Sequence, residues 1–201
     1  MSGVKVKICG VTNEEDAHRV VESGADMLGM IVDVPVETPR KIRIDEAEEI
    51  AKEIDDAIDI VVVLCPGSVK EVEEIVRRIK PFGVQLHGFE SNEFLKSVRE
   101  ALPEVKVIKT IHVDLQGTIH GGMPDEKYVD FILLDTFAAQ LGGTGTRHSW
   151  AKSREIVEAS SIPVILSGGL TPENVEDAIK AVNPYGVDVA SGVESSAGKK
   201  S

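Results

Sequence analysis

Two side chains capable of acid–base chemistry stand where short apolar runs end. Val4-Lys5-Val6-Lys7-Ile8-Cys9 closes on a thiol, and Phe131-Ile132-Leu133-Leu134-Asp135 closes on a carboxylate. In a barrel of parallel strands the reacting groups gather at the C-terminal strand ends, so thiol and acid are expected to face one pocket. Three glycine-bearing turns in the last third of the chain could hold a phosphate beside them. The combination points to acid–base chemistry on a phosphorylated small molecule.

Each residue has a chemical reading and a plainer one. A cysteine among aliphatics is often inert core. Cys9, however, ends its strand, and Gly10-Val11-Thr12-Asn13 turns into a helix whose N-terminus can lower a thiol pKa. Alternation puts Lys5, Lys7 and Cys9 on one face and Val4, Val6 and Ile8 on the other. With the apolar set against helices, Lys7 points inward, where it could favour the thiolate and needs an anionic partner. Asp135 shares a face with Phe131 and Leu133. Burial there would raise its pKa and make it a proton donor near neutral pH. A strand-end aspartate capping the next turn is the plain alternative, and Asp130 reads as a turn residue.

The glycine turns are Leu141-Gly142-Gly143-Thr144-Gly145-Thr146, Ser167-Gly168-Gly169-Leu170 and Ser191-Gly192. The second runs into Thr171-Pro172-Glu173-Asn174, read as N-cap, proline at the first helical position and helix. Glycine lets backbone amides approach an anion, and the turns after strands seven and eight are the usual phosphate site of such barrels. Arg40, after Pro39, offers a guanidinium suited to a carboxylate, with a surface arginine as the alternative. His87 ends Gln85-Leu86-His87 and either lines the pocket or is structural. His18, His112, His120 and His148 read as surface or loop residues, with nothing gathering them into a metal site.

These residues need a scaffold that repeats. Strands are expected at Val4–Ile8, Met27–Val32, Ile58–Val63, Gly83–Gln85, Val105–Lys109, Phe131–Leu134, Val164–Leu166 and Val187–Val189. Helical periodicity fills Glu14–Ser23, Asp45–Ile54, Val69–Ile79, Glu93–Ala101, Ser149–Ala159 and Pro172–Ala181. Alternating strands and helices imply an α/β fold of the (β/α)8 TIM-barrel class in a single domain over 1–201. Ile111–Lys127 has little periodicity, so a loop replaces a regular fifth helix. After Ser191-Gly192-Val193-Glu194 no eighth helix is legible.

Composition bounds the rest. Hydrophobic residues make up 42% of 201, which excludes general disorder, and no apolar run approaches the ~18 residues of a membrane span. A net charge of −12 argues against nucleic acid and anionic membranes as partners. It also repels a phosphate ester, so the site must supply local positive potential. Cys9 and Cys65 show neither metal spacing nor a disulfide framework, and the N-terminus runs straight into a strand with no room for a signal peptide. A cytoplasmic location is the expectation. Glu73 with Arg77 and Glu74 with Arg78 read as ion pairs one helical turn apart.

Taken together, the motifs resemble the phosphoribosylanthranilate isomerase family of tryptophan biosynthesis. The stretches that carry the likeness are Lys7-Ile8-Cys9-Gly10, Pro39-Arg40, Val84-Gln85-Leu86-His87-Gly88, Leu133-Leu134-Asp135, Gly142-Gly143-Thr144-Gly145, Ser167 to Val175, and Gly186 to Glu194. The resemblance implies an Amadori rearrangement with Asp135 as general acid and Cys9 as general base, without metal or organic cofactor. It implies that Arg40 holds the anthranilate carboxylate, that Gly143, Gly168, Gly169, Ser191 and Gly192 surround the phosphate, and that Asp188 is a pocket residue. The protein would be a monomer or homodimer. A sugar-phosphate epimerase would need metal-binding histidines at strand ends. An indole-glycerol-phosphate synthase would need a lysine–glutamate set, for which Lys109 is a candidate. A non-catalytic relative would have no use for both Cys9 and Asp135.

Overall fold

Eight strands pair with one another in parallel and close on themselves in a computed structural model that describes residues 3–137 and 149–201. They are β1 (Lys5–Cys9), β2 (Met27–Val32), β3 (Asp59–Leu64), β4 (Gly83–Leu86), β5 (Lys106–Val113), β6 (Phe131–Thr136), β7 (Val164–Leu166) and β8 (Gly186–Val189). Each pairs with its sequence neighbours, and β1 pairs with both β2 and β8, which shuts the barrel. Closure removes every sheet edge from the eight strands. Among the described residues six helices cover the outside: α1 (Glu14–Glu22), α2 (Ile44–Ile54), α3 (Val69–Ile79), α4 (Asn92–Ala101), α5 (Trp150–Ala159) and α6 (Val175–Val182).

Strand alternation sorts side chains into two cores. Outward residues such as Leu28, Met30, Val62, Leu86, Ile132 and Leu166 are buried against the helices. Inward, Met27, Val61, Ile108, Leu133 and Ile165 fill the lower barrel, backed by Phe82 and Phe131. Truncating one of these to alanine is expected to cost about 2–5 kcal/mol. Above that apolar layer the interior turns polar, with Lys7, Gln85, Thr110, Ser167 and Asp188 all buried. The apolar floor is the platform on which the polar layer is fixed.

Helix starts follow local chemistry. Asn13, Ser68, Ser91 and Ser149 accept from the backbone N–H three residues on, at the starts of α1, α3, α4 and α5. The last helix departs from expectation, because Pro172–Asn174 form a turn and α6 begins at Val175. Asn174 ties that turn down, accepting from the Thr171 N–H at 3.1 Å and donating to Gly169 O at 3.0 Å. Arg78 also departs. It reaches across to α2, with Nε 2.8 Å from Glu48 Oε2 and a terminal nitrogen 2.7 Å from Asp45 Oδ1, so the expected pair with Glu74 gives way to a bridge between helices. Asp130 accepts from the Val107 N–H and pairs with Arg99 and Lys106, stitching β6 to β5.

Two connections matter for the site. β5 continues four residues beyond its expected end at Lys109, and Ile119–His120 folds back antiparallel on His112 and Val113. The loop thus begins later than expected, and no α-helix lies between β5 and β6. After β8 a single turn (Ser191–Val193) leads into a hairpin, Glu194–Ser196 with Lys199–Lys200. The hairpin is bound to the β1–α1 turn: Thr12 Oγ1 donates to Gly198 O and the Lys200 N–H to Asp16 Oδ2, both at 2.9 Å.

Candidate active site

β1 and β8 are joined at the heart of the polar layer by an ion pair. Lys7 and Asp188 are register partners, and Lys7 Nζ lies 2.8 Å from Asp188 Oδ1 with the lysine fully buried. Burial alone would lower the lysine pKa, but Asp188 and then Cys9 outweigh it and raise it. Ser167, at the end of β7, donates to Asp188 Oδ2 at 3.1 Å, so the carboxylate is held from two strands. The anionic partner demanded by an inward lysine is therefore Asp188.

Cys9 sits one alternation above Lys7 and is buried. Its surroundings act opposite to the expected lowering of its pKa: burial pushes the thiol up, Lys7 pulls it down, and Asp188 pushes it up again, with a net rise. The lysine charge is already engaged by the aspartate. Gly29, the register partner of Cys9 on β2, makes room for this arrangement. A Cβ there would stand 2.8 Å from Cys9 Sγ and 2.9 Å from Lys7 Nζ.

Asp135 enters the same barrel mouth from β6. Burial pushes its carboxyl up to about 6, against the lowering effects of His112 and the Thr136 N–H. His87 Nε2 lies 3.7 Å from Asp135 Oδ2, and burial, with Lys109 and Lys7 adding to it, pushes that imidazole down to about 4. His87 is therefore neutral near pH 7 and placed as a hydrogen-bonding group. Its Nδ1 is 3.2 Å from Thr110 Oγ1 and 3.3 Å from Gln85 Nε2.

Sequence reasoning misplaced His112. Because β5 runs on to Val113, His112 is a buried strand residue in register with Asp135, not a surface or loop residue. Its Nε2 donates to His87 O at 2.9 Å, and the two imidazoles meet edge to face at 5.1 Å. One ligating atom from each of His87, His112 and Asp135 falls within 4.8 Å of the others, so three potential ligands do gather. The signal available was the polar–apolar alternation of Thr110-Ile111-His112-Val113, which carries strand patterning past Lys109.

Arg40 lies over the end of β1, where a Cβ on Gly10 would touch its side-chain stem at 2.8 Å. Gly10 has φ +76°, the left-handed region that glycine supplies. The guanidinium already grips a carboxylate of the chain itself, since Nε and a terminal nitrogen donate to the two oxygens of Glu194 at 2.7 and 2.8 Å. Burial would raise the Glu194 pKa, but hydrogen bonds from Arg40 and Lys200 outweigh it and hold the carboxyl low. Lys109 is likewise engaged, at 2.7 Å from Glu90 Oε2 and 2.6 Å from Gly88 O, and fastens the turn after β4. It is not a free lysine for synthase chemistry.

Gly168 and Gly169 follow β7 with φ of +90° and +66°. Gly168 touches the end of β6, where a Cβ would lie 2.2 Å from Thr136 Oγ1. Gly192 follows β8, and a Cβ there would lie 2.0 Å from Leu170 O. The two turns are packed against each other, with Ser191 opening the short turn after β8. Gly143 and the turn 142–145 lie outside the described residues.

The model of the N-(5'-phosphoribosyl)anthranilate (PRA) isomerase family matches residues 6–201. The chain belongs to this family. It is 47% identical over 196 residues to the N-(5'-phosphoribosyl)anthranilate isomerase of Methanocella arvoryzae, covering 98% of this chain and 92% of that one. Among solved structures, it resembles monomers of the dimeric phosphoribosylanthranilate isomerase of Thermotoga maritima with a TM-score of 0.79 and 34% identity, over 98% of this chain and 92% of that one. A phosphoribosylanthranilate isomerase in complex with reduced 1-(o-carboxyphenylamino)-1-deoxyribulose 5-phosphate is similar at a TM-score of 0.77 and 33% identity, over 99% of this chain and 93% of that one. The PRA isomerase barrel accounts for the closed parallel sheet. Among the described residues no helix is long and apolar enough to cross a membrane.

Proposed function

We propose that this PRA isomerase family member converts N-(5'-phosphoribosyl)anthranilate to 1-(2-carboxyphenylamino)-1-deoxyribulose 5-phosphate by acid–base catalysis between Asp135 and Cys9. The observation that carries this reading is a protonatable carboxyl on β6 and a thiol on β1, both at the C-terminal mouth of one barrel. Asp135 donates its proton to the ribose ring oxygen as the C1'–O bond breaks, and the anthranilate nitrogen supplies the electron pair that forms the Schiff base. The Cys9 thiolate removes the C2' proton. The C2'–H electrons form the C1'=C2' bond of an enolamine, and the nitrogen recovers its pair. Ketonisation moves the enol proton to C1', so atoms and charge balance with no external reductant or oxidant.

The remaining roles follow from position. Gly168, Gly169, Ser191 and Gly192, with Gly143, surround the phosphate, and the positive φ of Gly168 and Gly169 suits backbone amides turned toward an anion. This answers the net charge of −12 locally. His87 hydrogen-bonds near the acid in its neutral form. Asp188 acts through Lys7 and Cys9 as a positioning residue. Arg40 takes the substrate carboxylate by sharing or exchanging its bond with Glu194. The protein works in the cytoplasm as a monomer or homodimer, and a dimeric relative supports the second state.

The test is fluorescence decay of freshly prepared N-(5'-phosphoribosyl)anthranilate with the wild type and with Cys9→Ala and Asp135→Asn. Each variant is expected to lose at least ~10²-fold in turnover. Near-normal rates in either one would remove that residue from the mechanism. An inactive, folded wild type would overturn the isomerase reading.

A further inference from the structure

Three side chains at the barrel mouth share a property that acid–base catalysis does not require. His87, His112 and Asp135 each bring one ligating atom to within 4.8 Å of the other two. We propose that they form a site for one divalent transition-metal ion of the zinc type, and that an ion bound there takes Asp135 out of service. The second clause rests on the isomerase reading, whereas the first stands without it.

The donor set is selective. Two imidazoles and one carboxylate suit zinc, cobalt, nickel or iron, while magnesium and calcium prefer oxygen ligands alone. The spacing is close to what coordination needs. Two ligands each about 2.1 Å from a tetrahedral zinc lie about 3.4 Å apart. His87 Nε2 and Asp135 Oδ2 are already 3.7 Å apart, and no separation in the trio exceeds 4.8 Å.

Outer contacts also prepare the ligands. The His87 carbonyl can only accept, so His112 Nε2 carries the proton and Nδ1 keeps a free lone pair. Thr110 Oγ1 and Gln85 Nε2 both lie against His87 Nδ1, at 3.2 and 3.3 Å, so Nε2 is the nitrogen turned toward Asp135. Histidine ligands are usually oriented by such contacts to their other nitrogen. The nearby cations are spoken for, with Lys7 on Asp188 and Lys109 on Glu90. Neither needs to leave its partner for an ion to sit beside Asp135. Three protein ligands leave a fourth position facing the barrel mouth, as in zinc sites that stay open.

The experiment begins with chelator-stripped full chain titrated with Co²⁺ and followed by visible absorption, with Zn²⁺ added to compete. One Co²⁺ per chain, displaced by Zn²⁺, is expected, and affinity should fall at least ~10-fold in His112→Gln. His112→Ala provides a second variant, and circular dichroism establishes that each is folded. Absence of a cobalt band in the wild type would overturn the site, as would unchanged affinity in whichever variant is folded. Zn²⁺ should slow N-(5'-phosphoribosyl)anthranilate turnover in the wild type over the same concentration range. Undiminished turnover with the site filled would overturn the inhibitory clause. A chain that binds cobalt through His112 but never turns over this substrate would keep the metal site and refute the function.

Discussion

Lys7 and Asp188 face each other across the β1–β8 seam that closes the barrel, 2.8 Å apart and shielded from solvent. Removing one member of a buried pair strands the other charge, which typically costs about 3–5 kcal/mol. Lys7→Met or Asp188→Asn should therefore lower unfolding free energy by about that amount in urea denaturation. Lys7→Met combined with Asp188→Leu should be less destabilised than the sum of its two single variants, since no charge is left unpaired. Strict additivity would show that the pair adds nothing through its own interaction.

The pH dependence of activity should reflect both catalytic groups, which need opposite protonation states. The Cys9 pKa is raised, with burial as the main cause, so near neutrality most of the protein carries the thiol, not the thiolate base. The thiolate fraction climbs up to ~tenfold per pH unit below the thiol pKa, while the protonated fraction of Asp135 falls equally fast above about 6, so kcat/KM should rise up to about pH 6 and then level off. The rate of iodoacetamide alkylation at Cys9 should follow the thiolate fraction alone and keep rising through that plateau. Burial pushes the Cys65 thiol up to about 11, so its alkylation should climb only toward that pH. A kcat/KM that keeps rising with Cys9 alkylation above pH 6 would remove Asp135 as the proton donor.

Arg40 makes a bidentate bond that Glu194 now occupies. Charge-assisted hydrogen bonds are worth about 1.5–3 kcal/mol, so Arg40→Met should raise KM for N-(5'-phosphoribosyl)anthranilate by about 10- to 100-fold with a smaller change in kcat. A fall in kcat with KM unchanged would mean that Arg40 acts on the hairpin and not on the substrate.

Gly29 tests how tightly the thiol is held. A methyl group there must displace Cys9 Sγ or Lys7 Nζ. Gly29→Ala should cost about 1–3 kcal/mol of stability, the usual range for overpacking. It should also depress kcat more than KM, because the displaced atom belongs to the proposed base. Wild-type kcat in a destabilised Gly29→Ala protein would show that only packing is disturbed.

The reactive strand ends are legible in the amino-acid sequence because they depend on local rules. In a strand, alternate residues share a face, so Cys9 follows Lys7 inward and Asp135 follows Leu133 without knowledge of the neighbours. The caps at Asn13, Ser68, Ser91 and Ser149 are equally local, each reaching a backbone N–H three residues on. Strand–helix alternation then leaves a closed parallel barrel as the fitting architecture. The features that the sequence hides depend on partners far along the chain. Arg40 meets a carboxylate 154 residues away, Lys7 meets one 181 away, and Arg78 bypasses Glu74 for α2, 30 residues back. His112 belongs to the site because β5 stays paired with β6 as far as Thr136, which extends the strand past its expected end. Spacing along a chain encodes which way a side chain points, whereas only closing the barrel decides what it then meets.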